Sequence, residues 1–441
     1  KCSDGTLELE SGTYEVTQQL EIPERCNVNS NGAMLLLSAP LNFSKTARFE
    51  GKLSVKGLGS LEGPCFFFLK DAFIQSSAEI RFADCHNVAK DGDDAKGGAI
   101  HVRGDLTVTG NLNIHNSSAR LGGGIFVEHS FKHLGGKIEV SNSSAAEHGG
   151  GIFVQDNFNT TGGKIEVSNS SAGKIGGGIC VKQSFTNAGG EIQISNSSAE
   201  RGGGIFVEDN FNNTGGNIKI SNSSAEKLGG GIYVMQSFTN ADGEIQISGS
   251  SAYSGGGIFV QVNFKHLGGN IKISTSSAKE SGGGIYVKQS FTNADGEIQV
   301  SGSSAKKSGG GICVKQSFTN AGGEIQISNS SAERGGGIFV EDNFNNTGGN
   351  IKISNSSAEK LGGGIYVMQS FTNADGEIQI SGSSAYSGGG IFVQVNFKHL
   401  GGNIKISTSS AKESGGGIYV FVNFANSGGK IDIAGSSAQK N

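Results

Sequence analysis

The chain has 441 residues, of which 74 are glycine and 3 are proline, and its formal net charge is −4. The glycines lack a Gly-X-Y period, which excludes collagen. Acidic and basic residues are interspersed along the chain, so no basic patch indicates a nucleic-acid partner. The longest apolar runs, such as Ala33–Leu37, are far shorter than the roughly 18 residues of a membrane helix, so we expect no membrane span.

Residues 1–96 contain short β-type runs without a regular repeat, such as Gly12–Val16, Leu53–Val55 and Ile80–Phe82. These runs predict an N-terminal cap and irregular first turns of the fold that follows. The chain begins with Lys1 rather than Met, which indicates a processed chain or part of a longer one.

Four cysteines lie in this N-terminal part, at positions Cys2, Cys26, Cys65 and Cys85. An even number of cysteines in a small irregular segment favours disulfides that clamp the cap, and therefore an exported protein. The alternative is four buried thiols in a reducing compartment.

Residues 97–441 form 13 repeats of 25–27 residues, each of which begins with Gly-Gly-Gly-Ile or, once, Gly-Gly-Ala-Ile. A fixed period of this length is typical of a solenoid, in which one supersecondary unit stacks on copies of itself. The segment Gly176–Val287 recurs without a single change as Gly309–Val420, so whole turns have been added to the chain.

Within one repeat, Ile205-x-Val207 and Ile218-x-Ile220 alternate with period 2, which is typical of short strands with one buried face. Glycine clusters precede both strands, and no helical period is present. We therefore predict an all-β, right-handed parallel β-helix. Twelve repeats also place a phenylalanine at the same inward parity, predicting an internal aromatic stack: Phe131, Phe158, Phe185, Phe211, Phe238, Phe264, Phe291, Phe318, Phe344, Phe371, Phe397 and Phe424.

The residue after each Gly-Gly-Gly-Ile is Phe, Tyr or Cys, as in Phe126, Tyr233 and Cys180. If Ile and Val point inward, alternation places this residue outward, so we expect an exposed aromatic stripe that serves as a partner surface. The alternative is the reversed parity, with these residues in the core. Cys180 and Cys313 occupy this position five turns apart, roughly 24 Å, so they are free or pair between molecules.

The repeat resembles that of the chlamydial polymorphic outer-membrane proteins, which combine GGA-[ILV] with F-x-x-N before a Ser-Ala. Here Gly97-Gly98-Ala99-Ile100 carries the first element, and Ile114-His115-Asn116-Ser117-Ser118-Ala119 lies where the second would fall. Similar repeats look to be scattered through secreted proteins of algae and protists. The resemblance implies a right-handed β-helix displayed at a cell surface, although twelve repeats read GGG and the F-x-x-N phenylalanine is replaced.

Eleven Asn-x-Ser/Thr sequons predict N-glycosylation in a eukaryotic secretory route. They form a column followed by Ser-Ser, a second column on another turn, and one site in the cap. The alternatives are asparagines that shape turns and a buried asparagine ladder. The predicted sites are Asn116, Asn142, Asn169, Asn196, Asn222, Asn329 and Asn355, then Asn159, Asn212 and Asn345, and finally Asn42.

Catalytic, metal-binding and cofactor motifs are not expected. Asp91, Asp93 and Asp94 form the only dense acidic cluster and could bind calcium, but a solvated loop is the simpler interpretation. The eight histidines are expected at the surface or in turns.

These features predict a structural subunit of an extracellular or cell-surface fibril, coated with glycans. The last repeat ends at Asn441 without a cap, so we expect head-to-tail polymerisation unless the native chain continues. The alternatives are an adhesin passenger domain that binds surface ligands and, less directly, a carbohydrate-active β-helix enzyme.

Overall fold

The computed structural model describes residues 5–440. The chain divides into two compact units, residues 1–224 and 225–441, and both are all-β parallel solenoids, with about 15 turns in total. The predicted all-β solenoid is confirmed. The described residues include no α-helix, and the one helical element is a 3-10 turn at Asp93–Ala95.

The first turns of unit 1 are irregular. Two long strands, β4 and β6, each fill one side of a turn, and the neighbouring strands pair with them in parallel. The strands are β1 (Thr6–Leu9), β2 (Thr13–Val16), β3 (Leu20–Ile22), β4 (Cys26–Leu37), β5 (Leu41–Phe43), β6 (Ala47–Gly57), β7 (Ser60–Leu61), β8 (Phe66–Phe68), β9 (Ala72–Ile74), β10 (Glu79–Ala83) and β11 (His86–Asn87).

From Ile100 onward each turn has four strands, which we name by their sequence. The glycine-led strands follow the triple glycine: Ile100–Val102, Ile125–Val127, Ile152–Val154, Ile179–Val181, Ile205–Val207, Ile232–Val234, Ile258–Val260, Ile285–Val287, Ile312–Val314, Ile338–Val340, Ile365–Val367, Ile391–Val393 and Ile418–Val420. The Phe strands come next: Leu106–Val108, Phe131–His133, Phe158–Thr160, Phe185–Asn187, Asn210–Asn213, Ser237–Asn240, Asn263–His266, Ser290–Asn293, Ser317–Asn320, Asn343–Asn346, Ser370–Asn373, Asn396–His399 and Asn423–Asn426.

The remaining two strands complete the turn. The Ile strands are Asn111–His115, Lys137–Ser141, Lys164–Ser168, Glu191–Ser195, Asn217–Ser221, Glu244–Ser248, Asn270–Ser274, Glu297–Ser301, Glu324–Ser328, Asn350–Ser354, Glu377–Ser381, Asn403–Ser407 and Lys430–Ala434. The Ser-Ala strands are Ser118–Leu121, Ser144–His148, Ser171–Ala172, Ser198–Arg201, Ser224–Leu228, Ser251–Ala252, Ser277–Ala278, Ser304–Ala305, Ser331–Arg334, Ser357–Leu361, Ser384–Ser387, Ser410–Ser414 and Ser437–Ala438.

Within each unit, equivalent residues of successive turns are hydrogen-bonded neighbours. Ile285 pairs with Ile312, Phe291 with Phe318 and Ile298 with Ile325. Identical side chains therefore stack in columns along each unit, because every turn repeats the same inward positions. The predicted phenylalanine column is confirmed: the ring centroids of Phe291 and Phe318 are 4.8 Å apart, and both rings are fully buried.

The triple glycine makes the turn between the Ser-Ala strand and the glycine-led strand possible. Gly309 has a φ of +64°, and a Cβ on Gly310 would lie 2.4 Å from the Ser331 carbonyl oxygen of the next turn. Only glycine accommodates both the left-handed backbone and this close approach of two chains. The repeated glycines are therefore a packing requirement of the solenoid.

Candidate functional site

The expected exposed aromatic stripe is wrong. Phe126, Phe259 and Phe339 are 1–3% exposed, and the Ile and Val residues on either side of them are buried as well. The glycine-led strand is thus covered on both faces. Side chains of adjacent turns extend over the outward rings: Lys315 Nζ lies 5.5 Å from the Phe339 ring, and the Tyr366 hydroxyl donates to Gln394.

The thiols that replace these rings are also buried. Cys180 and Cys313 have 0% exposure and are not in disulfides, and burial raises the pKa of both thiols, to about 12 for Cys313. A buried, protonated thiol is a poor nucleophile. Full burial in the described chain leaves neither thiol exposed for a disulfide between molecules.

A buried polar ladder, which sequence reasoning missed, lies beside the phenylalanine column. In unit 2 the Asn293 amide donates to Asn320 Oδ1 (3.0 Å), Asn320 donates to Asn346 (3.1 Å), and Asn346 donates to Asn373 (2.9 Å). All four side chains have 0% exposure. The signal is the Phe-x-Asn spacing, which gives the asparagine the same inward parity as the phenylalanine.

Histidines occupy the same ladder, so their expected surface location is wrong for several of them. His133, His266 and His399 have 0% exposure. His399 Nδ1 lies 3.3 Å from the Asn373 amide nitrogen, and His266 Nδ1 lies 3.2 Å from that of Asn240. Burial lowers the pKa of all three, to about 4 for His133. Each imidazole is therefore neutral, and His266 and His399 accept a hydrogen bond at Nδ1 from the amides of Asn240 and Asn373.

Asp91 and Asp93 of the acidic cluster at 91–94 form ion pairs with basic side chains of the protein. Asp93 Oδ1 lies 2.7 Å from Lys96 Nζ, and Asp93 also pairs with Arg103. Lys96 bridges to Glu128, which His101 also contacts at 3.2 Å. Burial alone would raise the pKa of Glu128, but the hydrogen bonds from His101 and Lys96 outweigh it and lower this pKa to about 2. The cluster fastens the 3-10 turn to the neighbouring strands.

No group of three or more His, Cys, Asp or Glu side chains that could hold a metal ion is found among residues 5–440. Asp91 pairs with Arg120 and is otherwise largely exposed. The described side chains thus include no such cluster for a calcium ion.

The first sequon column lies at a left-handed turn before the Ser-Ala strand. Its seven asparagines have φ values of 49–53°, and the same position elsewhere is Gly249, Gly302, Gly382, Gly435, Thr275 or Thr408, also with positive φ. Six of these asparagines are exposed, and Asn116 is partly so. The alternative of a buried ladder therefore does not apply to this column. Its side chains are accessible for modification.

The other predicted sequons are less exposed. Asn159, Asn212 and Asn345 lie within Phe strands, with side chains on the outer face that are half-buried. Asn42 lies in β5, is half-buried, and its Oδ1 atom is enclosed without a hydrogen-bond partner. Geometry therefore separates the sequons into an exposed turn column and a group on strands.

Cys65 and Cys85 form a disulfide, with their Cα atoms 5.8 Å apart. It joins the residue directly before β8 to the short segment between β10 and β11. Cys26 is buried in β4, whereas Cys2 lies outside the described residues. The bond is a weak indication of an oxidising compartment.

The first turns of unit 1 line a partly open apolar cavity of about 770 Å³, with lining residues that include Leu7, Leu9, Val16 and Phe49. At the last described turn of unit 2, inward-parity side chains are accessible instead of buried. Phe424 is 55% exposed and Ile433 47% exposed, while their equivalents in the preceding turn, Phe397 and Ile406, are fully buried.

The part of the chain that the structure describes has no helix long and apolar enough to cross a membrane. No family model, curated protein or solved structure matches the chain significantly. The chain is a parallel β-solenoid with regular repeats of about 27 residues and stacked Phe and Asn ladders.

Proposed function

We propose that the chain is a structural subunit of an extracellular fibril or surface appendage, which polymerises head to tail and carries N-linked glycans. The observation that carries the proposal is a pair of apolar surfaces that are accessible in the described residues: the cavity beside β1 and β2 and the exposed Phe424 and Ile433 of the last described turn. Burial of such side chains drives association.

The strands at these two surfaces fit each other. The Phe strand Asn423–Asn426 and the Ile strand Lys430–Ala434 begin at the same interval as β1 and β2, which start at Thr6 and Thr13. In the described chain each of these strands pairs on one edge only. Parallel addition of a second copy would satisfy both edges, and such a heterologous contact builds open filaments.

Display outside the cell is supported by three features: the exposed sequon column, the Cys65–Cys85 disulfide and the resemblance to chlamydial polymorphic outer-membrane protein repeats. Glycans on the turn column would also limit lateral association of this repetitive surface. A binding role, as in an adhesin, is the second candidate, and it is favoured by the column of exposed side chains Tyr253, Lys279 and Lys306.

The test is negative-stain microscopy and sedimentation of the purified chain over a range of concentrations. We expect filaments for the native sequence and single particles for Phe424→Asp. Leu400→Asp is the matched control, because Leu400 is 49% exposed on the flank of unit 2 and should leave filaments intact. Single particles at every concentration would refute polymerisation.

The experiment also shows whether further turns of a longer polypeptide or a second copy of the chain covers the last described turn. If further turns of a longer polypeptide cover it, the longer protein stays monomeric, and Phe424→Asp lowers its unfolding temperature. If a second copy covers it, Phe424→Asp removes the filaments and leaves the unfolding temperature of the single particle nearly unchanged.

A further inference from the structure

Turns with and without a sequon differ at a second position in unit 2, the residue after the alanine of the Ser-Ala strand. In the turns that carry Asn329 and Asn355 this residue is Glu333 or Glu359. In the turns where Gly or Thr replaces the asparagine, it is aromatic, basic or Gln, and each is exposed: Tyr253, Lys279, Lys306, Tyr386, Lys412 and Gln439.

Tyr253, Lys279 and Lys306 lie in one column on three successive turns. Ala252 pairs with Ala278, and Ala278 pairs with Ala305, which sets the neighbouring side chains about 4.8 Å apart along the sheet. The Tyr253 ring is 46% exposed. We call this column, together with Lys307, the first Tyr-Lys patch.

Positive charge in this patch is only partly neutralised. Lys307 pairs with Glu280 at 2.5 Å, whereas Lys279 and Lys306 have no ion pair with any residue that the structure describes. Like charges directly opposite each other on adjacent strands destabilise a sheet. An anion bound along the column would convert this repulsion into attraction.

A second Tyr-Lys patch lies 133 residues later. The duplication repeats Tyr253 and Lys279 as Tyr386 and Lys412, and beyond the duplicated segment Gln439 and Lys440 stand in the places of Lys306 and Lys307. The backbone is also repeated: Lys307 N donates to Glu280 O, and Lys440 N donates to Glu413 O. Five turns at about 4.8 Å place the two patches roughly 24 Å apart along the same face of unit 2.

We propose that the two Tyr-Lys patches together bind an acidic polysaccharide. An extended polymer can contact both patches at once, its sugar rings stack on the exposed tyrosine faces, and its carboxylates pair with the lysines. The absence of sequons in these turns keeps the patches free of the protein's own glycans. This inference goes beyond filament formation and does not depend on it.

Other occupants fit less well. A nucleic acid is disfavoured because each patch supplies only two or three cations and the whole chain has a net charge of −4. A second copy could present its Glu333 and Glu359, but these lie in the turns that carry the Asn329 and Asn355 sequons, where glycans would separate the surfaces.

The test measures binding of the full chain to immobilised long polygalacturonate, with dextran as the neutral control. We expect Lys279→Gln/Lys306→Gln and Lys412→Gln/Lys440→Gln each to weaken binding roughly tenfold, because each removes one of two linked contacts. Lys272→Gln/Lys405→Gln is the matched control, since these exposed lysines lie on Ile strands, and it should bind like the native chain.

Stoichiometry gives a second readout. A polygalacturonate fragment too short to span both patches should bind twice per chain, and once in either patch variant, with the remaining affinity unchanged. The proposal is overturned if the control variant loses as much binding as the patch variants, if duplex DNA displaces the polymer as well as free polygalacturonate does, or if the patch substitutions change only self-association.

Discussion

The buried asparagine ladder should contribute measurably to stability, and Asn320→Ala is the most direct test. Asn320 accepts a hydrogen bond from Asn293 at 3.0 Å and donates one to Asn346 at 3.1 Å, with no exposure to solvent. Alanine would leave one donor and one acceptor unsatisfied in the core. Each such group costs about 1–3 kcal/mol, so we expect a loss of about 4 kcal/mol in the free energy of unfolding.

The neighbouring residue supplies the control. Asn345 is half-buried, faces outward and lies in the next turn, so Asn345→Ala should cost less than about 1 kcal/mol. Urea unfolding gives the overall change. Because repeat arrays can unfold in parts, amide hydrogen exchange in the Phe strands around Asn293 and Asn346 should locate the loss.

The energetic coupling between two residues of the ladder is a sharper test of its contribution to stability. Asn293→Ala and Asn320→Ala share the hydrogen bond between them, so the double variant should lose clearly less than the sum of the single losses. If Asn320→Ala costs no more than Asn345→Ala, or if the two ladder substitutions are strictly additive, the ladder does not stabilise the fold and the reasoning fails.

Three further predictions follow from the columns. Phe318→Ala should cost about 3–5 kcal/mol by urea unfolding, because its ring is stacked at 4.8 Å on both sides, whereas loss of less than 1 kcal/mol would contradict close packing. Burial lowers the pKa of His133 to about 4, so the free energy of unfolding should fall by roughly 3 kcal/mol as pH falls from about 6.5 towards 4. His133→Asn should flatten this part of the stability–pH profile, and an unchanged profile would exclude His133 as the cause. Asn329→Gly should leave the unfolding temperature unchanged or nearly so, while Asn329→Val should lower stability by about 1–2 kcal/mol, because φ is +51° there; equal effects would refute the backbone argument.

The fold could be predicted because several sequence signals specify the same geometry. Period-2 alternation in Ile218-x-Ile220 sets the inward face, and the fixed spacing of the glycines sets the length of a turn. The phenylalanine column followed from the same parity. A one-residue shift would place every such ring in solvent, so the register is strongly determined.

The outward side of the glycine-led strand could not be predicted by the same rule. Alternation tells which residues face away from the core of the turn, but not whether that outer side is exposed to solvent. Phe339 is buried because Gly335 lies close against it and Lys315 of a neighbouring turn extends over the ring. That cover depends on contacts between turns, which a single repeat does not reveal.

The ladder was missed for a related reason. Asn320 seen alone is a polar residue near a glycine pair, a pattern typical of a turn. It is tolerated inside only because an identical amide lies one turn away in each direction. The sequon asparagines show the opposite outcome: Asn329 has the same side chain, but its left-handed backbone at the turn points it towards solvent.

The place where the ladder is interrupted leads to a last prediction. Asn240 donates to His266 Nδ1, but His266 Nε2 lies 3.2 Å from the Glu297 carbonyl oxygen and does not donate to Asn293, whose Oδ1 is buried without a partner. Gly296 faces His266 as Gly349 faces Asn320, so an asparagine fits the same local backbone.

His266→Asn would therefore join Asn240 to the ladder that runs from Asn293 to His399. The new hydrogen bond should contribute about 1 kcal/mol, and the smaller side chain should cost a similar amount in lost packing, so near neutral pH the change is small. Burial lowers the pKa of His266, so the native chain loses stability as pH falls below about 6.5. The variant has no imidazole at this position and lacks this contribution to the loss. The stability advantage of His266→Asn should consequently grow on acidification; an advantage that stays constant with pH would mean that burial does not keep His266 neutral.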